Sequence, residues 1–329
     1  MKHYIDFHRD VSFEDLDYLL DVAVDLKAKT KAGIEHHLLK GKSLAMIFTK
    51  SSTRTRVSFE VGMYQLGGQA LFLSSNDIQI GRGETIYDTA NVLSGMVDGI
   101  MIRTFKHQDV EDLAKYADVP VWNGLTNEYH PTQMLADLLT IQEIFGKDVK
   151  GLKLAYMGDA RYNMANSLMI LCTKMGMHFA AGAPKSYFPN DELVEICQGY
   201  AKESGGSILL TEDAAEAAKD ADIIYTDVWV SMGEPDEVWA ERIHDLLPYQ
   251  VNKAVMEKAK PTAIFMHDLP SFHDCKTKIG KEMGEKYNPY VFVREKQTKG
   301  RNYVGGLVGN LNNGFDVSNI SITNGIVTG

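Results

Sequence analysis

The sequence predicts an α/β fold of two domains, in which each domain is a mostly parallel sheet flanked by helices. Short apolar runs alternate with longer segments of helical periodicity along most of the chain. Charged or polar residues, such as Asp159, Asp227 and His267, lie at or just beyond the ends of several apolar runs. Open α/β sheets bind ligands at this edge. The 329 residues, 44% of them hydrophobic, are enough to form two cores.

The first part of the chain supplies the elements of one sheet. Ser12 and Asp15 form a capping-box pattern, which predicts that a helix begins here. Pro131 suits the first turn of a helix over 131–146, where apolar residues recur at helical spacing. The other predicted elements are strands over 43–48, 69–73, 99–103 and 119–122, and a helix over 85–97.

A second unit begins near Lys150. Its predicted elements are strands over 152–157, 177–183, 208–211, 223–228 and 263–266, a polar turn over 158–163 and a helix over 164–175. We therefore predict a first domain over 1–147, which includes a connecting helix over about 131–147, and a second domain over 148–329. The functional site is expected in the cleft between the two domains.

The most informative segment is the polar run from Lys50 to Arg56, Lys-Ser-Ser-Thr-Arg-Thr-Arg. It lies between an apolar strand and a helical segment, where unpaired N–H groups and the positive end of the helix dipole attract an anion. Arginine adds forked donors that match phosphate oxygens, and hydroxyls either bind phosphate or cap the helix. Taken alone, the run fits an anion site and an ordinary helix cap equally well.

Composition excludes several classes of function. The formal net charge of −10 disfavours nucleic acid and anionic membranes as partners. No apolar run approaches the roughly 18–20 residues of a membrane span, and charges follow Met1 more closely than in a signal peptide. Cys172, Cys197 and Cys275 lack metal-ligand spacing, and their low, odd number indicates reduced thiols in a cytoplasmic protein.

Four motifs carry a resemblance to a known family. Ser52-Thr-Arg-Thr-Arg56, an isolated Arg103 after an apolar strand, and His130-Pro-Thr-Gln133 resemble the aspartate/ornithine carbamoyltransferase family. The fourth motif, Asp227-Val-Trp-Val-Ser-Met-Gly233, is similar to the ornithine branch. One short motif agrees easily by chance, but four in the family's order do not. The resemblance covers about residues 1–287.

The resemblance implies that carbamoyl phosphate and L-ornithine are converted to L-citrulline and phosphate. The side-chain amine would attack directly, without a metal, a cofactor or a covalent intermediate. Such a reaction needs a held phosphate, a polarised carbonyl and a neutral, aimed amine. The direction of flux is left open, including the catabolic direction of arginine breakdown.

The implied carbamoyl phosphate ligands match positions in the first domain. The phosphate would be held by Ser52, Thr53, Arg54 and Thr55. Arg103 would contact both the phosphate and the carbonyl, and His130 and Gln133 would donate hydrogen bonds to the carbonyl oxygen. A neutral imidazole and an amide can stabilise developing negative charge without carrying a charge themselves. Arg56 is assigned a structural role, because an arginine one turn into a helix more often pairs with a carboxylate.

The implied amino-acid ligands lie in the second domain: Asn163, Asp227, Ser231, Met232, Asp268 and Leu269. Asn163 and the Ser231–Met232 segment would hold the α-carboxylate and the α-amine, and Asp227 would accept the α-ammonium. An aspartate substrate would need an added arginine for its second carboxylate, and its signature is missing from 227–234 and 267–270.

The segment from Gln79 to Thr85 resembles the family's mobile loop, which reaches into the site of a neighbouring subunit. Gln79 matches the ornithine-type position, and Arg82 aligns with the basic residue of aspartate-type enzymes. A solvated Gly-rich turn is the alternative interpretation. The resemblance implies a homotrimer or a multiple of trimers.

Two features depart from the family pattern. Residues 267–270 are His-Asp-Leu-Pro, whereas the family has His-Cys-Leu-Pro. Asp268 can bind an ammonium, but a nearby carboxylate raises an amine pKa by about 1–3 units and so favours the protonated, non-nucleophilic form. Residues 288–329, which are rich in Asn, Ser, Thr and Gly, replace the family's final helix. Arg301 precedes Asn302, the reverse of the family's order, so no role is carried over.

Two other functions remain open from the sequence alone. A related carbamoyltransferase could use another amine, putrescine-like or a modified ornithine, because of Asp268. A non-catalytic homologue could bind carbamoyl phosphate; the altered C-terminal segment favours this alternative, whereas His130 and Gln133 together argue against it.

Overall fold

The computed structural model describes residues 2–9, 11–230, 234–269, 281–282, 285, 321–323 and 326–328. The chain divides into two compact units, with a boundary between Leu135 and Ala136. This boundary falls inside the helix Pro131–Phe145, which the sequence analysis assigned as a whole to the first domain. The domain limits of 1–147 and 148–329 stay a prediction.

The first unit contains a four-stranded parallel sheet. Its elements in chain order are α1 (Phe13–Lys31), β1 (Ser43–Phe48), α2 (Arg54–Gln65), β2 (Gln69–Ser74), α3 (Ile86–Ser94), β3 (Gly99–Arg103), α4 (His107–Tyr116), β4 (Val121–Leu125) and the start of α5 (Pro131–Phe145). The strand order is β2-β1-β3-β4. Ile47 of β1 and Ile102 of β3 belong to one buried core with Val110 and Leu113 of α4.

The capping box that opens α1 is present. The Ser12 hydroxyl accepts from the Asp15 N–H at 3.1 Å, and the Asp15 carboxylate accepts from the Ser12 N–H at 3.2 Å. Leu16 and Leu20 recur at helical spacing and are buried, but Val24, four residues further on, is 49% exposed. The buried face of α1 is therefore shorter than its apolar pattern.

The second unit contains a five-stranded parallel sheet with the order β7-β6-β5-β8-β9. Its elements in chain order are β5 (Lys153–Met157), α6 (Asn163–Lys174), β6 (His178–Gly182), α7 (Asp191–Ser204), β7 (Ser207–Thr211), α8 (Ala214–Ala218), β8 (Ile223–Thr226), α9 (Trp239–Leu246), α10 (Lys253–Met256) and β9 (Ile264–His267). A separate pair of strands, β10 (Ser321–Thr323) and β11 (Ile326–Thr328), forms a two-stranded sheet.

Each large sheet reverses its winding direction once. In the first sheet β1 is followed by β2 on one side, and the chain then returns to β3 on the other side. In the second sheet β5 is followed by β6 and β7 on one side, and β8 and β9 lie on the other. The carboxyl ends of two strands at such a reversal diverge and leave a crevice, where ligands bind in open α/β sheets.

The predicted α/β class, with two parallel sheets flanked by helices, is confirmed. The strand limits agree with the prediction within two residues, except that β4 ends at Leu125 rather than at Trp122. β4 also begins at Val121 rather than at Val119. Pro120 explains the shift, because proline has no N–H to donate to the ladder. Within the described residues, no helix is long and apolar enough to cross a membrane.

Candidate active site

The polar run after β1 is tied to the end of β3. The N–H groups of Thr49 and Lys50 donate to the Arg103 carbonyl at 3.0 and 3.4 Å. The Ser52 hydroxyl accepts from the Thr55 N–H at 3.1 Å, so it caps the first turn of α2. The run thus lies at the reversal point of the first sheet, beside the positive end of a helix dipole.

Arg103 contacts the polar run directly. It ends β3, is only 7% exposed, and donates from a guanidinium nitrogen to the Thr55 hydroxyl at 3.0 Å. By contrast, Thr53 and Arg54 are exposed. Arg56 pairs with Glu60 at 3.0 Å and lies over the ring of Phe72, as expected for a structural arginine.

His130 is buried immediately before α5, and its imidazole is neutral at physiological pH. Burial lowers the pKa of His130 from 6.5 to about 3, and the positive charges of Arg103 and Lys50 add to this effect. The Nδ1 atom lies 3.3 Å from the Thr132 hydroxyl. If that hydroxyl donates to Nδ1, the ring proton lies on Nε2, which is then a neutral hydrogen-bond donor.

The backbone around His130 is held at several points. The Tyr4 hydroxyl donates to the Pro131 carbonyl at 2.9 Å, and the Gln133 N–H donates to the His130 carbonyl at 3.2 Å. Gln133 is half-buried in the first turn of α5. The first unit therefore brings Ser52, Thr55 and Arg103 together. The positive charge of Arg103 also helps to keep His130 neutral.

Lys50 is a functional candidate that begins the polar run but was not among the predicted ligands. Its side chain is buried, and Nζ lies 3.3 Å from the Asn127 amide oxygen and 5.2 Å from the Phe105 ring centroid. These contacts link the polar run to the loop that leads to His130. The signal was present in the sequence, because Lys50 begins the run, but its burial was not predictable from a local pattern.

Gln79 lies in a 3-10 helix over Gln79–Arg82 and is exposed. Gly81 is required in this turn, since an added Cβ would lie 1.8 Å from the Ser75 carbonyl oxygen. Among the described contacts of the subunit, no hydrogen bond joins the Gln79 side chain to Ser52–Thr55.

In the second unit, Asn163 follows a constrained turn after β5. Gly158 has φ +122°, a conformation that side chains rarely adopt, and an added Cβ would lie 3.5 Å from Trp229 Nε1. The turn leads directly into α6, of which Asn163 is the first residue. Asn163 therefore lies at the carboxyl edge of the sheet, as predicted.

Asp227 follows β8, the strand beside β5 at the reversal point of the second sheet. A carboxylate oxygen of Asp227 accepts from the Val228 N–H at 2.7 Å. Burial raises the pKa of Tyr156 and of Tyr225 well above the ordinary value. The charges of Asp227 and Asp268 add to the rise at both rings, and Asp137, which accepts from the Tyr225 hydroxyl at 3.1 Å, adds more at Tyr225. The structure thus gathers two of the predicted carboxylates near the same pair of tyrosine rings.

The segment after β9 has a strained backbone. Leu269 has φ +62°, and its N–H donates to His267 Nδ1 at 2.8 Å. A non-glycine residue in the left-handed region costs free energy and is found preferentially at functional sites. Asp268 precedes it and is half-buried. Ser231 and Met232, the other predicted amino-acid ligands, lie outside the described residues.

Four charged residues are paired at the turn after β5, and only Asp159 among them was singled out from the sequence, as a polar residue at a strand end. Arg161 forms two hydrogen bonds to Asp159, from Nε at 2.9 Å and from a terminal nitrogen at 2.7 Å. Arg242 of α9 donates to Asp159 at 2.6 Å and to Glu234 at 2.7 Å. We call Asp159, Arg161, Glu234 and Arg242 the Arg242 network. No local motif predicts it, since its members are up to 83 residues apart.

A separate cluster of Asp6, His107 and Glu111 has its ligand-type atoms within 4.8 Å of one another. Arg9 already bridges both carboxylates, because its guanidinium bonds Asp6 and Glu111. Burial raises the pKa of Asp6, but the interaction with His107, whose Nε2 lies 3.7 Å away, and the charges of His8 and Arg9 outweigh burial and hold the pKa below its ordinary value. The guanidinium thus takes the place that a cation would occupy.

Comparison with known proteins identifies the family to which the chain belongs. A family model described as the carbamoyl-P binding domain of aspartate/ornithine carbamoyltransferase matches residues 2–143, and the model of the Asp/Orn binding domain matches residues 150–295. The chain belongs to the aspartate/ornithine carbamoyltransferase family. The second match extends eight residues beyond the predicted end of the resemblance at 287.

Individual relatives fall in the ornithine branch. The chain is similar to a catabolic ornithine carbamoyltransferase from Treponema denticola, with 55% identity over 84% of this chain and 82% of the relative. It is 57% identical to an ornithine carbamoyltransferase from Anoxybacillus flavithermus, over 80% of this chain and 82% of the relative. The structure of ornithine carbamoyltransferase from Pyrococcus furiosus matches with a TM-score of 0.79 and 50% identity, over 83% and 86% of the two chains.

Proposed function

We propose that this protein is an ornithine carbamoyltransferase, which forms L-citrulline and phosphate from carbamoyl phosphate and L-ornithine. The observation that carries the proposal is the group of Ser52, Thr55 and Arg103 at the reversal point of the first sheet, accompanied by the neutral His130. The family membership and the relatives' ornithine-specific names support the same reaction.

Ser52, Thr53, Arg54 and Thr55 hold the phosphate in this proposal. The Ser52 oxygen is engaged by the Thr55 N–H, so its own proton is oriented outward from the cap and can be donated to a phosphate oxygen. Arg103 neutralises the leaving phosphate and extends to the carbonyl. The hydrogen bond to Thr55 helps to fix the guanidinium before substrate arrives, which reduces the reorganisation needed for reaction.

His130 and Gln133 stabilise the carbonyl oxygen as the amine attacks. Negative charge develops on this oxygen in the tetrahedral intermediate, and a preorganised neutral donor stabilises it more than water does. Burial disfavours a cationic imidazole, repulsion from Arg103 and Lys50 adds to this effect, and the lowered pKa keeps His130 in the neutral form. The C–N bond then forms, the C–O bond to phosphate breaks, and the proton lost by the amine leaves with the phosphate, so that no group is left on the enzyme.

The amino acid is held by residues of the second domain. Asp227 accepts the α-ammonium, while Asn163, Ser231 and Met232 hold the α-carboxylate and the α-amine. Asp268 and Leu269 place the side-chain amine. Support comes from the carboxyl-edge positions of Asn163, Asp227 and Asp268 and from the strained backbone at Leu269.

The proposed assembly is a homotrimer or a multiple of trimers, in which Gln79 of one subunit completes the carbamoyl phosphate site of the next. Large apolar side chains are exposed on and beside α2, the edge strand β2 and α3: Val57, Tyr64, Leu71, Tyr87, Val92 and Met96. Such exposure in the first unit is expected of a surface that another subunit covers.

We also propose a cytoplasmic enzyme that serves arginine breakdown. Cys172 and Cys197 are buried free thiols, which suit a reducing compartment. The catabolic direction is supported by the name of the Treponema denticola relative. Metabolite levels, rather than the site itself, decide the direction of a reversible transfer.

A panel of amines tests the substrate assignment. Purified protein with carbamoyl phosphate is given L-ornithine, putrescine, N-acetylornithine or L-aspartate, and phosphate release and the carbamoylated product are measured. Ornithine should give the highest kcat/KM. A higher kcat/KM for putrescine or N-acetylornithine would show that ornithine is not the amine substrate. If no amine gave a product, the remaining interpretation would be a homologue that only binds carbamoyl phosphate.

A further inference from the structure

The Arg242 network combines burial with full charge pairing. The Arg242 side chain is 9% exposed and Asp159 is 4% exposed, so neither is strongly solvated. A buried guanidinium is tolerated only when its fork of N–H groups finds partners, and removal of one partner leaves an uncompensated charge. Here two of its nitrogens bond different carboxylates, Asp159 and Glu234, at 2.6 and 2.7 Å.

The network joins two segments that carry the amino-acid half-site. Asp159 and Arg161 belong to the turn that runs into Asn163. Glu234 directly follows the Ser-Met-Gly motif in the sequence. A second bond joins the same segments, because the Tyr162 hydroxyl donates to Glu234 at 3.3 Å. Arg242 itself lies on α9, outside both segments, and donates to a carboxylate in each of them.

The guanidinium groups are also fixed by an aromatic ring. Arg161 and Arg242 lie 4.2 and 5.1 Å from the ring centroid of Tyr187. The Tyr187 hydroxyl donates to Asp245 at 2.9 Å, which anchors the ring to α9. Arginine over an aromatic face has few alternative orientations, so the distance between its two carboxylate partners is tightly defined.

We propose that Arg242 is a positioning residue for the amino-acid substrate. By fixing Glu234, which follows the Ser-Met-Gly motif in the sequence, against Asp159 in the turn that leads to Asn163, it sets the affinity for ornithine. Its effect reaches the substrate only through these segments. The proposal rests on the function proposed above, and it adds a determinant that no motif contains.

The test compares Arg242→Met and Glu234→Gln with a matched control, Lys260→Met. Lys260 pairs with the buried Asp222 at 2.9 Å in the same unit, but Asp222 directly precedes β8 and so lies at the opposite edge of the sheet. Arg242→Met loses two ion pairs with buried or half-buried carboxylates, and Glu234→Gln and Lys260→Met lose one each. Only the first two alter the Arg242 network.

We expect Arg242→Met to raise the KM for ornithine by about 10-fold or more, because a small displacement of positioning groups has a large effect. Glu234→Gln should raise it less, since the amide oxygen still accepts from Arg242. The KM for carbamoyl phosphate should change less than about threefold, and Lys260→Met should leave both constants unchanged. Equal ornithine KM values for Arg242→Met and the parent overturn the proposal, as does an equal rise in Lys260→Met.

Hydrogen exchange of the N–H groups from Tyr162 to Ala165, and of those of Glu234 and of Asp236 to Val238, gives a second readout that needs no turnover. Exchange should be faster in Arg242→Met than in the parent and in Lys260→Met. Unchanged exchange contradicts the positioning role even if the variant is inactive. If Arg242→Met exchanged faster than the parent but the parent formed no citrulline, the proposed function would be contradicted, whereas the positioning of these segments by Arg242 would not.

Discussion

His130 shows how the surroundings of one residue determine its chemistry. Burial and two positive neighbours lower its pKa in the same direction, so the imidazole stays neutral over the whole physiological range. The lowered pKa of His130 also makes the folded state sensitive to acid, because the unfolded chain takes up a proton near pH 6.5 and the folded chain does not.

The free energy of unfolding should therefore fall as pH decreases from about 6.5 towards 3. One group contributes at most about 1.4 kcal/mol per pH unit in this window. His130→Gln removes the titrating ring, so its unfolding free energy should depend less steeply on pH between 6.5 and 4. Urea unfolding of both proteins at several pH values measures the slopes. Identical slopes would contradict a depressed pKa at His130.

Asp268 replaces the family's cysteine, and its carboxylate acts near Tyr156 and Tyr225. A carboxylate beside the side-chain amine of ornithine stabilises the protonated form, which does not attack. We expect a pH–rate profile whose acid limb lies at higher pH than in Asp268→Cys. Profiles of kcat for the two proteins at saturating substrates provide the comparison. Superimposable profiles would show that Asp268 does not set the protonation state of the amine.

The sequence motifs selected candidate site residues, but not the surroundings of those residues. Ser52, Arg103 and His130 were selected because they belong to short motifs with a chemical reason for their spacing, and their roles stay predictions. The burial of Lys50 and the pairing of Arg242 were missed, because both depend on partners distant in the sequence. Long-range ion pairs leave no local pattern.

At the scale of elements, two helix N-termini use the same cap for different purposes. Ser12 and Ser52 each accept from the N–H three residues ahead at 3.1 Å. Ser12 opens α1, which contains no predicted site residue, whereas Ser52 opens α2 beside Arg103. The cap stabilises the helix in both cases, but only Ser52 is also proposed to bind phosphate.

Ser12→Ala and Ser52→Ala should each lower the free energy of unfolding by about 1 kcal/mol through loss of the cap. Ser52→Ala should also raise the KM for carbamoyl phosphate several-fold, whereas Ser12→Ala should not. Denaturant unfolding and steady-state kinetics of the pair separate the two roles. If Ser52→Ala lost stability but kept the parent KM, Ser52 would be a helix cap only.

The strands were predictable from apolar runs, but their order in the sheets was not. Apolar residues mark β1 and β3 equally well wherever these strands lie in a sheet. The reversal points, and therefore the neighbours of the polar run and of Asp227, follow from long-range pairing. The start of β4 at Val121 is an exception, because the sequence alone shows that Pro120 cannot donate an N–H to the sheet, and the prediction did not take this into account.

For the whole molecule, the two-domain α/β architecture followed from alternating strand and helix patterns. The boundary was harder to predict, because α5 is one continuous helix and its apolar periodicity does not show where contacts change from one unit to the other. The cleft location of the site, the trimer and the role of Gln79 stay predictions. Residues 288–320 lie outside the described residues.

A shared site in the trimer makes a distinctive prediction. If Gln79 acts in the neighbouring subunit, Gln79→Ala and His130→Ala impair different parts of a site built from two chains. Dissociating and reassociating a mixture of the two variants should restore more activity than either has alone, because some sites receive two intact halves. Activity no higher than the average of the separate variants, in confirmed mixed trimers, would place Gln79 outside the shared site.

The most direct test is citrulline formation from carbamoyl phosphate and L-ornithine by the purified protein, at pH 7 and pH 9, beside His130→Ala. Exposed His37→Ala serves as the matched control. We predict clear turnover by the parent and by His37→Ala, and faster turnover at pH 9 than at pH 7. The kcat of His130→Ala should be reduced by about 100-fold or more, since loss of one oxyanion donor has this effect. A folded parent that forms no citrulline at either pH would contradict the proposed function.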